Sequence, residues 1–142
     1  MTSPKIPRAL EHEVRERASG RCEYCQTPEL LSGQPAHIDH IRPRVRGGPT
    51  QADNLCLACA PCNSFKLDQT EAIDPDSGEA LALFNPRQQQ WQEHFVWDES
   101  GTMIMGLTPT GRATVMMLKM NRPLIVAARA VWVSVNRHPP KV

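Results

Sequence analysis

The chain has 142 residues, 40% of them hydrophobic, which suits one compact domain with an extension and excludes two large independent cores. Its formal net charge of +1 argues neither for nor against a nucleic-acid partner, so any basic surface must be local. The longest apolar run, residues 124–135, contains Arg129 and is shorter than the roughly 20 residues of a membrane span, so no membrane partner is expected.

The N-terminal segment predicts an amphipathic helix in a cytoplasmic protein. Its charges fall within the first dozen positions, without the apolar stretch that a secretion signal requires. Leu10, Val14 and Ala18 recur at helical spacing. Pro7 suits the first position of a helix and Gly20 its end. We therefore expect a helix that leads directly into the first cysteine pair.

The cysteines form two pairs with Cys-x-x-Cys spacing. Cys22 and Cys25 form the first pair, and Cys59 and Cys62 the second, with 33 residues between them. Because the cytosol keeps thiols reduced, we interpret these residues as metal ligands rather than disulfides. Four thiolates suit tetrahedral structural zinc. Cys56 is either a buried free thiol in a short strand, which we favour, or an alternative ligand.

The interval between the cysteine pairs predicts two strands followed by a helix. Residues 36–41 form a strand candidate limited by Pro43, and the loop RGGPTQADN is dense in turn residues. Residues 54–58 predict a second strand beside the first, and NSFKLDQTEAI predicts a helix that starts near Asn63. Together with the N-terminal helix, these elements predict a unit over residues 1–70.

The sequence changes in character after Thr70, and we expect a C-terminal extension over residues 71–142. FVW, DESG and TMIMGL predict a hairpin. TGRATVMMLKM predicts a helix with Thr110 as its cap, and a second helix is predicted from Pro123, although its valines leave a strand open. The Met and Val side chains indicate core or a subunit contact rather than a cofactor site.

A zinc site formed by the cysteine pairs would tie together the two ends of the unit of two strands and a helix. It would thereby bring Asp39, His40 and Asn63 into one small volume. A carboxylate and an amide oxygen are hard ligands that suit Mg²⁺ or Mn²⁺. His40 could remove a proton from an attacking water. Adjacent residues on a regular strand point to opposite faces, so this site requires an irregular backbone. The alternative is a solvated pair that makes ordinary hydrogen bonds.

The segment HIDHIRPRVRGGPTQADNLCLACAPCNSFK resembles the signature of the HNH endonuclease family, the zinc-bearing branch of the ββα-metal nucleases, over residues 22–66. The resemblance implies an α+β fold with a ββα-metal core and a structural zinc site of four cysteines. By the family's pattern Asp39 and Asn63 hold the catalytic ion, His40 is the general base, and Asn54 orients the histidine and holds the loop. Asn63 stands where the family name expects histidine, which favours Mg²⁺ or Mn²⁺ over zinc or nickel.

A local group of basic residues is a candidate phosphate-binding surface. Arg42, Arg44 and Arg46 resemble the basic positions around the family's motif, and Lys66 follows it. Their cations could neutralise backbone phosphates, or they could serve surface solubility. His37 has no fixed role in the family pattern. It is either a phosphate contact, a hydrogen-bond partner behind the site, or a solvated strand residue.

The extension resembles one found in a bacterial subgroup of the family, from about residue 79 onward. Dimerisation, DNA positioning and protection of the core are all open roles for it. We favour packing against the zinc domain, because Trp91, Trp97 and Trp132 are large apolar anchors.

These features predict an enzyme, a metal-dependent endonuclease that hydrolyses DNA, rather than RNA, by the action of His40. Structural Zn²⁺ and catalytic Mg²⁺ or Mn²⁺ are the expected cofactors. The alternative is a zinc-organised module that binds nucleic acid without cutting it. A third hypothesis, a zinc-dependent protein adaptor, predicts neither DNA nicking nor salt-sensitive DNA binding.

Overall fold

The computed structural model describes residues 6–141, so Lys5, the first charged side chain of the N-terminal segment, lies outside the described residues. The fold is α+β, as the sequence predicted. In chain order its helices and strands are α1 (Arg8–Ala18), α2 (Glu29–Ser32), β1 (His37–His40), β2 (Leu55–Ala58), α3 (Ala60–Lys66), β3 (Glu71–Ile73), β4 (Ala80–Ala82), α4 (Trp91–His94), β5 (Phe95–Trp97), β6 (Ile104–Gly106), α5 (Pro109–Met117) and α6 (Pro123–Ser134).

The two predicted strands between the cysteine pairs form an antiparallel hairpin. β1 pairs with β2 in a register that sets His37 opposite Ala58 and His40 opposite Leu55. The predicted N-terminal helix, α1, covers β2 because Val14 is fully buried in one cluster with Leu55 and Leu57. This packing fixes β2 from one side, while α3 contacts β1.

The helix predicted over residues 63–73 is wrong at both ends. α3 begins at Ala60 with a proline in its first turn and ends at Lys66, where Leu67 has a positive φ of 52°. Residues Glu71–Ile73 instead form β3, which pairs antiparallel with β4. A further hairpin, β5 with β6, lies within the segment where the sequence predicted one.

The last two helices differ in one detail from the prediction. Thr108, not Thr110, caps α5, because its hydroxyl accepts a hydrogen bond from the Gly111 backbone N–H at 3.0 Å and Pro109 opens the helix. The segment from Pro123 is helical, so the strand alternative for it is excluded.

One hydrophobic cluster contains buried residues from both sides of the predicted boundary at residue 70. Cys22, Tyr24 and Cys62 lie in it with Phe84, Phe95, Ile104, Leu118 and Met120 of the later segment. The Trp91 indole N–H donates a hydrogen bond to the Tyr24 carbonyl at 2.8 Å, and Arg87 forms an ion pair with Glu23. Residues of the two segments therefore share one apolar cluster, while the division into domains at residue 70 remains a prediction.

None of the helices within residues 6–141 combines the length and the apolar composition needed to cross a membrane.

Candidate functional site

The four paired cysteines converge on one point. Cys22 and Cys25 lie in a turn after α1, where the Cys22 N–H donates to the Thr27 carbonyl at 2.9 Å. Cys59 precedes α3 and Cys62 lies within it. The four sulfur atoms lie within 4.8 Å of one another, near the ~3.8 Å spacing that tetrahedral Zn–S bonds of about 2.3 Å impose. The cluster therefore fits structural zinc.

The cysteines of the cluster shift one another's pKa values in opposite directions. Hydrogen bonds from Cys22, Cys59 and Cys62 lower the pKa of Cys25 well below its usual value, whereas burial raises the pKa of Cys22 and hydrogen bonds within the cluster raise that of Cys62. Burial lowers the pKa of Arg129, whereas charge on the cluster sulfurs opposes this shift. Arg129 is fully buried, so a fixed positive charge accompanies the thiolates. Cys56 lies outside the cluster as a fully buried thiol of β2, and burial raises its pKa.

Asp39 points into the interior from β1. Only 6% of the residue is exposed. Its Oδ2 accepts a hydrogen bond from the Tyr24 hydroxyl at 2.9 Å and lies 3.2 Å from the Lys66 Nζ. The Cys56 thiol is a weaker donor to the same oxygen at 3.8 Å. Asp39 is thus a buried carboxylate that already attracts a positively charged group.

His40 ends β1 and is half-buried. Its Nε2 lies 2.8 Å from the Thr50 hydroxyl, in the loop that follows β1. Burial lowers the pKa of His40, and the nearby charges of Arg44 and Lys66 lower it further against the opposing effect of Asp39. The lowered pKa favours the neutral imidazole, the form that can accept a proton.

Asn54 ties the ends of that loop together. Its Oδ1 accepts from the Arg42 N–H at 2.9 Å, while its Nδ2 donates to the carbonyls of Arg42 and Pro49 at 3.0 and 2.9 Å. Gly48 is required beside it, because a Cβ there would lie 1.7 Å from the Arg42 carbonyl oxygen. These contacts hold the loop, and the hydrogen bonds of Asn54 run to the loop rather than to the imidazole.

Asn63 and Lys66 lie one turn apart on α3, and side chains at this spacing share a helix face. Lys66 reaches Asp39 from that face, so Asn63 lies on the side of α3 that is turned toward β1. Asn63 is half-buried. Lys66 is only 1% exposed. The ammonium of Lys66 therefore faces a carboxylate in the interior, and a phosphate contact by Lys66 remains a prediction.

The remaining predicted phosphate contacts lie on the surface. His37, Arg42, Arg44 and Arg46 are exposed. The Arg42 Nε donates to the Arg46 carbonyl at 2.8 Å, and the Arg46 Nε donates to the Asp68 carbonyl at 2.6 Å. The guanidinium groups of Arg42 and Arg46 are thus tethered at one nitrogen and retain other N–H groups that can meet a phosphate.

A cleft of about 790 Å³ lies beside the loop that joins β1 to β2. No feature of the sequence indicated this cleft. Its walls come from the loop, from Lys66 and from the segment around β4, with an amide-rich lining. The residues that line it are Ile41, Arg42, Arg46, Pro49, Gln51, Asp53, Asn54, Lys66, Thr70, Ala82, Leu83, Phe84, Asn85, Gln88 and Gln89. His40 is not among the lining residues, so the cleft does not contain the imidazole. Tyr24 and Thr50, the partners of Asp39 and His40, were also missed, because neither carries a motif.

A comparison with known protein families gives a match that coincides with this region. The sequence model of the HNH endonuclease family matches residues 22–69. The matched residues contain both cysteine pairs, β1, β2 and α3. No curated protein sequence and no solved structure matches the chain.

Proposed function

We propose that the HNH endonuclease domain formed by residues 22–69 is an active, metal-dependent nuclease that hydrolyses phosphodiester bonds in DNA. The observation that carries the proposal is the placement of His40 within the matched region. Its imidazole is half-buried at the end of β1, burial lowers its pKa, and it lies beside a loop that carries three exposed arginines.

His40 is the proposed general base. The imidazole removes a proton from the attacking water molecule, while the Thr50 hydroxyl, 2.8 Å from Nε2, holds the ring in place. The water oxygen forms a bond to phosphorus as the bond to the 3′ oxygen breaks, which leaves a 5′ phosphate and a 3′ hydroxyl. General base catalysis of this kind contributes about 10² to 10⁴ in rate.

Asp39 and Asn63 are the proposed ligands of a divalent ion. They offer a carboxylate and an amide oxygen, the donor types that Mg²⁺ and Mn²⁺ prefer. The Asp39 carboxylate attracts the Lys66 ammonium to 3.2 Å, so the same carboxylate suits a metal cation. A bound ion would supply charge stabilisation for the phosphoryl group and the leaving oxygen. Asn54 holds the loop that frames this site.

The proposed DNA contacts are the exposed guanidinium groups of Arg42, Arg44 and Arg46, with His37 on the same strand as His40. Guanidinium groups pair with phosphate oxygens in a forked geometry. Such contacts make binding depend strongly on salt, whatever the base sequence.

A zinc-organised module that binds nucleic acid without cutting it is the second candidate. It is favoured by the Lys66 ammonium, which pairs with the very carboxylate that the enzyme needs for its ion. Both candidates predict salt-dependent DNA binding, so cleavage has to separate them.

Plasmid nicking tests the proposal. Zinc-loaded wild type with Mg²⁺ or Mn²⁺ is expected to nick supercoiled DNA, and His40→Ala to be slower by about 10² or more. His12→Ala is the matched control, because His12 is an exposed histidine of α1 that pairs only with Glu16 among the described residues. It should nick as wild type does. Equal DNA binding without nicking by wild type, at full zinc content, would favour the module.

A further inference from the structure

Lys66 is a buried cation outside the roles assigned above. Its side chain is 2% exposed and its Nζ lies 3.2 Å from Oδ2 and 3.5 Å from Oδ1 of Asp39. The same ammonium donates to the His40 carbonyl at 3.1 Å. Lysine is almost never buried without a partner. Here the partner is the carboxylate proposed above as a metal ligand.

The oxygens around the ammonium are of the kind that a hard metal ion would use. A carboxylate and a backbone carbonyl are common ligands of Ca²⁺ and Mg²⁺. Asp39 also accepts from Tyr24 and Cys56, so two neutral donors hold the carboxylate in place independently of the ammonium. Lys66 is therefore the one member of the group that can leave without removing the support of the carboxylate.

Two cations cannot share this carboxylate without cost. Like charges a few ångströms apart repel strongly where water is scarce, and Asp39 is only 6% exposed. If the ammonium left without replacement, a buried carboxylate would remain without a counter-charge, which is strongly unfavourable. The carboxylate thus favours one cation at a time.

We propose that Lys66 is the resident counter-cation of Asp39, and that a divalent ion enters the site by exchange with its ammonium. The inference rests on the proposed function, because it assumes that Asp39 receives the ion. The ammonium can move away from Asp39 into the cleft beside the loop, because Lys66 lines this cleft together with the solvent-exposed Arg42 and Arg46. After exchange the ammonium joins the surface at which these arginines would meet phosphate.

The first test measures Mn²⁺ binding without nucleic acid. The free Mn²⁺ signal in electron paramagnetic resonance gives the Kd of zinc-loaded wild type, Lys66→Met and Asp39→Asn. Exchange predicts that Lys66→Met binds Mn²⁺ on the order of tenfold more tightly, within the usual range for coupling between two ligands. Asp39→Asn should lose the site. Lys66→Arg, which keeps the charge, should not show the gain. Lys66→Met that binds Mn²⁺ as wild type does, or more weakly, overturns the inference.

The second test uses wild type alone, because Lys66→Met leaves a buried carboxylate unpaired and can fail to fold. A brief treatment with an amine-acylating reagent is followed by mass spectrometry of each lysine. Lys66 is expected to be protected without Mn²⁺ and to become reactive with it. Lys119, which is exposed, is the internal reference and should react equally in both. Saturation with Mn²⁺ that leaves Lys66 protected overturns the exchange.

Failure of the inference and failure of the proposed function give different results. If Asp39→Asn binds Mn²⁺ as wild type does, the ion is not on Asp39 and both proposals fall. If Asp39→Asn abolishes binding while Lys66 stays protected and its removal gives no gain, the metal site stands. Exchange with Lys66 is then wrong.

Discussion

His138 makes the folded protein sensitive to mild acid. Its ring is enclosed by Trp97, with ring centroids 4.4 Å apart, and by Trp132, at 5.8 Å. Only 6% of the residue is exposed, and neither ring nitrogen has a hydrogen-bond partner among the described residues. Burial, together with the charges of Arg129 and Arg21, lowers the pKa of His138 to about 4. Protonation is therefore resisted in the folded state and unhindered in the unfolded chain.

The shift determines the size of the effect. Between the unfolded pKa of 6.5 and the folded pKa of about 4, the unfolded chain binds a proton that the folded protein does not. The contribution of neutral His138 to the free energy of unfolding is therefore fully present above pH 6.5, and it is lost as the pH falls through this window. At about 1.36 kcal/mol per pH unit, the fall from pH 7 to pH 5 amounts to about 2 kcal/mol.

Urea unfolding of wild type and His138→Phe measures this contribution. Phenylalanine keeps a ring between the two tryptophans and cannot be protonated. The stability of wild type relative to His138→Phe should fall by about 2 kcal/mol from pH 7 to pH 5, while zinc content is verified at each pH. Acid effects on the cysteines act equally on both proteins and cancel. If the difference between the two proteins stays constant over this range, burial of a neutral imidazole is not the cause.

The four-cysteine cluster and the proposed general base, His40, give further predictions. Cys62→Ser should lose zinc and lower the Tm by roughly 10 °C or more, whereas Cys56→Ala should retain one zinc per chain by atomic absorption; loss of zinc from both would make Cys56 a ligand. The nicking rate should rise with pH and reach a plateau. The pH at half of the plateau rate should lie below the ordinary histidine pKa of 6.5, because the pKa of His40 is lowered. Arg44→Gln should move this midpoint upward, since Arg44 is among the charges that lower the pKa; an unchanged midpoint would contradict that assignment.

The strands and the metal cluster could be predicted because their signals are local. Two Cys-x-x-Cys pairs can reach one point only if the chain between them returns on itself, and the glycines and prolines of the loop indicate where it turns. The cap of α5 was also present in the sequence, since Pro109 marks the first turn and makes Thr108 the preceding cap. The choice of Thr110 instead of Thr108 was an error of interpretation, because both threonines have the same capping chemistry.

The end of α3 could not be predicted, because a distant contact determines it. Nothing between Lys66 and Ile73 forbids a helix, yet Glu71–Ile73 pairs with Ala80–Ala82. Asp74 closes the intervening turn: its carboxylate accepts from the Asp76 N–H and from the Ser77 hydroxyl, and it pairs with Arg112 of α5. Arg112 lies 38 positions away, so a local reading of helix propensity could not include it.

Lys66 was misplaced for the same reason. A lysine side chain is normally solvated, and only the proximity of Lys66 to Asp39, 27 positions earlier, reverses that expectation. The hairpin brings the two together by placing β1 against α3. Polar residues at the proposed site are thus individually visible in the sequence, whereas their pairing becomes known only from the packing.

The four-cysteine cluster and the C-terminal segment are stabilised through the same buried region. Cysteines of the cluster pack with Phe95 and Ile104, and Arg129 of α6 hydrogen-bonds to the carbonyls of Thr102 and Met120 next to them. A Zn²⁺ ion held by four thiolates leaves a net negative charge, and a buried charge is tolerated only when it is compensated. The fully buried guanidinium of Arg129 supplies a positive charge from the far end of the chain. Because the apolar packing and the Arg129 charge both come from the C-terminal segment, the four-cysteine cluster and that segment stabilise one another.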